Sequence, residues 1–467
     1  MPFSDNNGDS QPSSPLLSST RHSQSQSQSN PRFKTFIIFF IFLLLAVTAA
    51  ISATGTAAVS FSSSSPELSR PLKKLKKPVV LLISSDGFRF GYQFKTNTPN
   101  INLLARNGTS TDKGLIPVFP TLTFPNHYSI ATGLYPAYHG IVNNYFTDPA
   151  TGEKFSRQSK DPKWWLGEPL WETAANHGLK AAAYFWPGSE VKKGKWDCPK
   201  DYCFPYNETV PFEERVDTIL SYFDLAESDI PSLIALYLSD PDSQGHDVGP
   251  DDPRINTAVS RIDSVVGRII QGLKAREIFD DVTIILVGDH GMVGTCDKKR
   301  LFLDDLKKWI VIPPEWMETD YPVLGLRPPA GNSSEEIVRK IKEGLNSGEV
   351  ENGEFLKIYL KEELPSRMYY NDNDRIPPIL GLLEEGFMLE PKRNKELFCG
   401  GAHGYDNTLF SMRTIFYAHG PRFGRGRVVG SFENVQIYNM VATILGIPGA
   451  PNNGSATFAN SVLLPKH

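Results

Sequence analysis

Three uninterrupted apolar runs dominate the chain: VVLLI at 79–83, LIALYL at 233–238 and VTIILV at 282–287, ending in SSDG, SDPDSQGH and GDHG respectively. Continuous apolar runs bounded by polar turns fit strands buried on both faces, which requires a mostly parallel sheet with helices on either side. The predicted class is therefore α/β, in three layers. With 467 residues, 40% of them hydrophobic, one large core can be buried, and no internal repeat is visible. Open parallel sheets build their sites at the carboxyl ends of strands. Asp86, Asp242 with His246, and Asp289 with His290 are expected to converge there.

Imidazole nitrogen combined with carboxylate oxygen suits zinc, and five or six such groups exceed one tetrahedral centre, so two ions are implied. GAHGYDN at 401–407 offers His403 as a further ligand. Taken singly, each Asp or His reads more readily as a cap or a satisfied core histidine. Together at the ends of separate strands they read as a metal site. Between the first two clusters, Thr123 precedes Phe124 and Pro125 and then a helix-compatible run. Proline favours the first helical turn, which puts Thr123 at a helix N-terminus, where an anion is stabilised. A threonine there can simply cap the helix. Bound to a metal, its hydroxyl becomes a strong nucleophile.

The formal charge of −4 offers no basic footprint for a nucleic-acid polymer, and no protein partner is predicted. Residues 1–34 read as a disordered tail, poor in large apolar side chains through residue 30. Residues 35–52 (TFIIFFIFLLLAVTAAIS) carry no charge over 18 positions and read as a transmembrane signal-anchor; a cleaved signal peptide is the competing reading. Arg32 and Lys34 before the span favour a cytoplasmic N-terminus, giving a type II topology with the catalytic domain lumenal or extracellular, or a secreted protein if the segment is cleaved. Residues 53–76 read as a Ser-rich stalk and 77–467 as the catalytic domain. Sequons at Asn107, Asn207, Asn332 and Asn453 are glycosylation candidates. Four cysteines permit two disulfides: Cys198 with Cys203 would close a small loop, and Cys296 with Cys399 would tie together two halves of a site. Four free thiols are the alternative.

The motifs PTLTFPNHYSIATGLYP, YFWPGSE, PDSQGHDVGP, GDHGM and GAHGYDN, in this order, resemble the signatures of the nucleotide pyrophosphatase/phosphodiesterase family of the alkaline phosphatase superfamily. The resemblance runs from about Val79 to about Asn460 and implies an alkaline-phosphatase-like three-layer sandwich. It implies two zinc ions, one held by Asp242, His246 and His403, the other by Asp86, Asp289, His290 and the Thr123 oxygen. It further implies that Asn144 and the Phe124 N–H stabilise a phosphate oxygen, and that Phe124 and Tyr206 sandwich a base; Tyr206 could equally be core packing. The expected chemistry is attack by Thr123 on a phosphodiester or pyrophosphate of a nucleotide or nucleotide sugar. A phospho-threonine then forms, is hydrolysed by zinc-activated water, and releases a nucleoside 5′-monophosphate. Leu166 stands where some nucleotide-cleaving relatives have lysine, and Ser239-Asp240 replaces a pair of acidic residues. The accessory modules of the larger animal members are not expected. A phosphomonoesterase or phosphonate-cleaving enzyme, a lipid-headgroup phosphodiesterase and a non-catalytic zinc-holding tethered protein remain as alternatives.

Overall fold

The computed structural model describes residues 67–393 and 399–466. The expected tail, the apolar span at 35–52 and the first part of the stalk lie outside the described residues. Among the described residues no helix is long and apolar enough to cross a membrane.

The three apolar runs are strands. We number the strands of the main sheet and of a short ribbon β1 (Val79–Ser85), β2 (Thr109–Thr111), β3 (Ala181–Tyr184), β4 (Cys203–Phe204), β5 (Leu233–Leu238), β6 (Val282–Val287), β7 (Val293–Thr295), β8 (Gly400–Ala402), β9 (Phe416–His419) and β10 (Arg427–Val429). The main sheet runs β10-β2-β9-β6-β1-β5-β3-β4. The pairings β6–β1–β5–β3–β4 are parallel, and β9 is antiparallel to both neighbours. β1 lies between β5 and β6, so the three polar clusters leave the sheet side by side.

Both faces of these strands are apolar because both are covered. Val80 and Leu82 of β1, with Ala235 of β5 and Ile285 of β6, join the core under α1 (Thr123–Thr132), α2 (Leu170–Asn176) and, late in the chain, the helix Gln436–Leu445. Val79, Leu81 and Ile83, with Ile234 and Ile284, face the opposite core under α3 (Phe212–Ser221) and the 22-residue helix Arg254–Ala275. On that long helix Ile255, Val259, Ile262, Val266, Ile269 and Leu273 are buried at helical spacing, a continuous apolar stripe. A separate antiparallel sheet, Met317–Thr319, Val323–Leu326, Leu356–Leu360 and Ile379–Leu383, forms a third core with the helix Ser334–Leu345.

Residues 67–76, expected at the end of the stalk, are tied to this body. Ser69 N–H donates to Pro465 O, and the backbone N–H groups of Lys73, Lys74 and Leu75 all donate to the buried carboxylate of Asp281. One carboxylate satisfying three backbone donors holds the segment against the amino end of β6.

Candidate active site

The site is assembled where β1, β5 and β6 end. Asp86 N–H donates to Leu238 O (2.9 Å) and Asp242 N–H donates to Asp86 O (3.0 Å), which locks the two strand ends together. Gly87 follows with φ of 61°, and a Cβ there would stand 2.7 Å from the Asp242 Cβ, so only glycine lets this turn pass so close. Its N–H donates to Asp289 Oδ1 at 2.9 Å. The Tyr237 hydroxyl donates to Asp86 Oδ2 at 2.6 Å. Asp86 Oδ1, Asp242 Oδ1 and Asp289 Oδ2 remain buried without a hydrogen-bond partner.

The histidines point their free nitrogens into the same space. His290 Nδ1 donates to Gly291 O (2.9 Å), His246 Nδ1 to Gly401 O (2.8 Å) and His403 Nδ1 to Thr121 O (2.8 Å). With each Nδ1 proton spent on a carbonyl, each Nε2 presents a lone pair, the arrangement that orients a metal-ligating imidazole. His403 Nε2 lies 3.1 Å from His246 Nε2, and His290 Nε2 lies 3.0 Å from Asp289 Oδ2 and 3.3 Å from Asp86 Oδ1. Lone pairs facing lone pairs and carboxylate oxygens repel unless positive charge, a metal ion or in its absence a proton on His290, lies among them. The donor set therefore fits metal.

The charges agree. Burial, then the Asp289 and Asp242 carboxylates, push the Asp86 carboxyl well above its usual range. Burial pushes Asp289 the same way, but His290 and His127 outweigh it and hold that carboxyl well below. Against its own burial, His290 is raised by Asp289 and Asp242, so without an ion His290 carries the positive charge the cluster needs. Burial, then His290 and His246, hold the His403 imidazole well below its ordinary value. A buried cluster this charged is costly until a cation compensates it.

Thr123 is the first residue of α1, and its side chain makes no capping hydrogen bond; Leu122 occupies the cap. Its Oγ1 lies 3.3 Å from His290 Nε2. Phe124 N–H donates to Asn144 Oδ1 at 3.0 Å, so the two groups expected to act side by side are bonded to each other, and the Asn144 amide N–H groups are the donors left to a ligand. The Phe124 ring is half-buried against Phe155 and Trp165. Tyr206 stands apart from it, packed on Phe185 and Tyr237, and among the described residues no ring contact joins it to Phe124. Leu166 lines a cavity of about 740 Å³ with Asp148, Lys361 and Arg375, and a second of about 310 Å³ opens beside Arg70 and Arg422. Neither is lined by Thr123 or a site carboxylate, and cavity size alone misplaces the chemistry.

Both disulfides are formed, Cys198–Cys203 and Cys296–Cys399. The second closes the antiparallel ribbon of β7 and β8, which carries His403 just beyond its end. Asn207, Asn332 and Asn453 are exposed, whereas Asn107 is half-buried and Thr109 of its sequon is fully buried.

Two residues beyond those read from the motifs belong here. Asp86, His127 and Asp289 bring one ligand atom each within 4.8 Å of one another, as do Asp242, His290 and His403, a grouping that differs from the one the resemblance implies. The hydrogen bonds argue against His127 as a ligand. Its Nδ1 is 2.8 Å from Thr123 O and its Nε2 is 2.8 Å from Ser84 Oγ, so both ring nitrogens are engaged. With its Nδ1 also 3.3 Å from Asp289 Oδ2, His127 braces the nucleophile candidate against a ligand candidate. Tyr237 does the same for Asp86 from within β5. The spacing of four between Thr123 and His127, one helical turn, is the available signal for the first; nothing in LIALYL marks the second.

The family described as type I phosphodiesterase / nucleotide pyrophosphatase matches residues 80–406. The chain belongs to this family. An uncharacterized pyrophosphatase/phosphodiesterase of Schizosaccharomyces pombe is 37% identical over 387 residues, covering 80% of this chain and 78% of that protein. Human ectonucleotide pyrophosphatase/phosphodiesterase family member 1 is 38% identical over 408 residues, 84% of this chain and 43% of its own, so the chain spans under half of that relative. Among solved structures, an inactive form of murine ectonucleotide pyrophosphatase / phosphodiesterase 5 in complex with AMP superimposes with a TM-score of 0.74 at 33% identity, covering 83% of this chain and 100% of that one. This member of the type I phosphodiesterase / nucleotide pyrophosphatase family thus has the alkaline-phosphatase-like three-layer fold expected from its motifs.

Proposed function

We propose that this protein is a two-zinc hydrolase that cleaves the phosphodiester or pyrophosphate bond of nucleotides or nucleotide sugars and releases nucleoside 5′-monophosphate. The observation that carries the reading is the convergence of three unbonded carboxylate oxygens and three imidazole Nε2 atoms around the Thr123 hydroxyl at a helix N-terminus. Asp242, His246 and His403 would hold one ion; Asp86, Asp289, His290 and Thr123 Oγ1 would hold the other. Such ions supply Lewis acidity, lowering the hydroxyl's pKa and stabilising the entering and leaving oxygens.

Thr123 Oγ attacks phosphorus in line; the new Oγ–P bond forms as the bond to the leaving group breaks, giving a phospho-threonine. The Asn144 amide N–H groups, oriented by the bond from Phe124 N–H to Asn144 Oδ1, donate to a non-bridging oxygen at the start of α1. Water then attacks the phospho-threonine, and Thr123 departs as the hydroxyl. Phe124 and Tyr206 form the two sides of a base slot, consistent with the AMP held by the murine relative.

Two disulfides suit an oxidising compartment. Together with the apolar span at 35–52, they support a type II membrane protein with its catalytic domain in the secretory lumen or outside the cell; exposed Asn207, Asn332 and Asn453 are the sequons suited to glycans. The test is hydrolysis of ATP, a nucleotide sugar and p-nitrophenyl thymidine monophosphate against p-nitrophenyl phosphate, with and without chelator. Chelator-sensitive release of nucleoside monophosphate from the first three is expected. Cleavage of the monoester alone would overturn the substrate reading.

A further inference from the structure

Close to the proposed base slot one exposed arginine is held in place without a carboxylate partner among the described residues. Arg157 Nε donates to the Tyr145 hydroxyl at 2.8 Å, and its guanidinium lies 5.5 Å from the Tyr145 ring centroid. Among the described residues no carboxylate pairs with it, whereas its neighbours Lys160 and Lys163 are paired with Glu190 and Glu153. The bond at Nε anchors the guanidinium at the Tyr145 hydroxyl, and among the described residues Nη1 and Nη2 have no hydrogen-bond partner.

The surroundings say where the fork sits. Tyr145 follows Asn144, whose side chain is bonded to Phe124 N–H. Two strands of two residues, Phe146–Thr147 and Lys154–Phe155, form a hairpin, and Phe155 packs its ring 6.4 Å from that of Phe124. Arg157 comes two residues after Phe155, on the Phe124 side of the slot. Tyr206 on the other side is close enough for the Arg157 charge to act on its hydroxyl, although burial dominates and raises that group's pKa. Tyr145 and Tyr206 are each about half exposed, at 46% and 49%, as a cleft mouth requires.

We propose that Arg157 is a specificity-determining residue that reads the edge of a nucleobase held between Phe124 and Tyr206, favouring a base with two adjacent hydrogen-bond acceptors, as guanine presents at O6 and N7. The proposal rests on the nucleotide reading above. A guanidinium fork matches two acceptors in one plane. Adenine offers N7 beside an amino group, so one donor of the fork meets a donor and both lose their partners.

The experiment compares kcat and KM for GTP and ATP in the full chain, its Arg157→Ala variant and its Arg157→Lys variant, with bis(p-nitrophenyl) phosphate as a base-free substrate for the unsubstituted chain. We expect about a tenfold preference in kcat/KM for GTP over ATP, carried mainly by KM. Arg157→Ala brings the two within about twofold, and Arg157→Lys, which keeps the charge without the fork, does not restore the preference. Equal cleavage of GTP and ATP by the unsubstituted chain, a preference that survives Arg157→Ala, or an equal loss on both nucleotides overturns the inference while leaving the proposed function intact. Cleavage of bis(p-nitrophenyl) phosphate with no cleavage of either nucleotide overturns both.

Discussion

The two halves proposed for the candidate metal site are built differently. Asp86, Asp289 and His290 sit on the ends of β1 and β6, with side chains 0 to 3% exposed. Asp242 and His246 sit on the short helix Asp242–Val248, with side chains 16% and 45% exposed, and His403 follows a ribbon of two three-residue strands. The inner half is braced by side chains, His127 on Asp289 and Tyr237 on Asp86. The outer half is braced by backbone carbonyls and one disulfide. The sheet therefore fixes the inner ligands whether or not an ion is bound, and the outer ligands depend on local structure that can open without disturbing the core.

The largest expected effect comes from the proposed nucleophile beside the inner half. Thr123→Ala should lower kcat by about 10⁴-fold or more while metal content, measured by atomic absorption, stays at that of the unsubstituted chain. Loss of an ion with the hydroxyl would break the comparison, since the inner half would then depend on its nucleophile rather than on the sheet. Next, Asp289→Asn and His246→Gln should part ways. The inner substitution leaves a metal-deficient protein that added zinc does not rescue. The outer one gives a protein lacking one ion, whose activity returns in excess zinc. A chelator titration followed by metal analysis on the unsubstituted chain should likewise remove the outer ion first.

Legibility in the sequence differs between ligands and braces for a physical reason. VVLLI, LIALYL and VTIILV announce buried parallel strands because both faces are apolar, and the polar residue that ends each run marks its carboxyl end. The candidate ligands Asp86, Asp242, Asp289 and His290 at those ends are therefore legible from the run pattern alone. The braces are not. His127, inside a buried helical run, reads as a core histidine, and Tyr237 reads as one more apolar strand position. The short antiparallel strands between 317 and 383 carry few residues each and leave no clear period. The role of Asp281 in holding residues 73–75 involves a sequence separation of about two hundred residues, which no local pattern encodes. The pairing of Phe124 N–H with Asn144 is likewise a contact between the first turn of α1 and a loop, and the resemblance names both residues without their mutual bond.

The braces sharpen the comparison at smaller scale. His127→Gln keeps a side chain able to reach Ser84 or Thr123 but not both, and should weaken metal binding about 10- to 100-fold at the inner half only. A purely structural role would lower the melting temperature without changing metal affinity in the folded state, which competition with a fluorescent chelator separates. Cys296→Ser with Cys399→Ser should act on the other half, weakening the outer ion about tenfold or less, because β7 and β8 still pair through their backbones.

The last test reads stability rather than metal affinity, and asks whether the inner half is as rigid as its burial suggests. Tyr237→Phe removes the hydroxyl that donates to Asp86 Oδ2 and leaves a buried carboxylate oxygen without that partner, a loss of about 1 to 3 kcal/mol in the metal-free protein. A metal ion held by Asp86 would compensate the same charge, so the destabilisation should shrink when zinc is added, and denaturant melts with and without zinc measure the difference. An equal loss in both forms would mean that the hydroxyl acts on packing of β5 rather than on the ligand. The Tyr237 ring contacts with His127 and Tyr206 would then be what it holds in place.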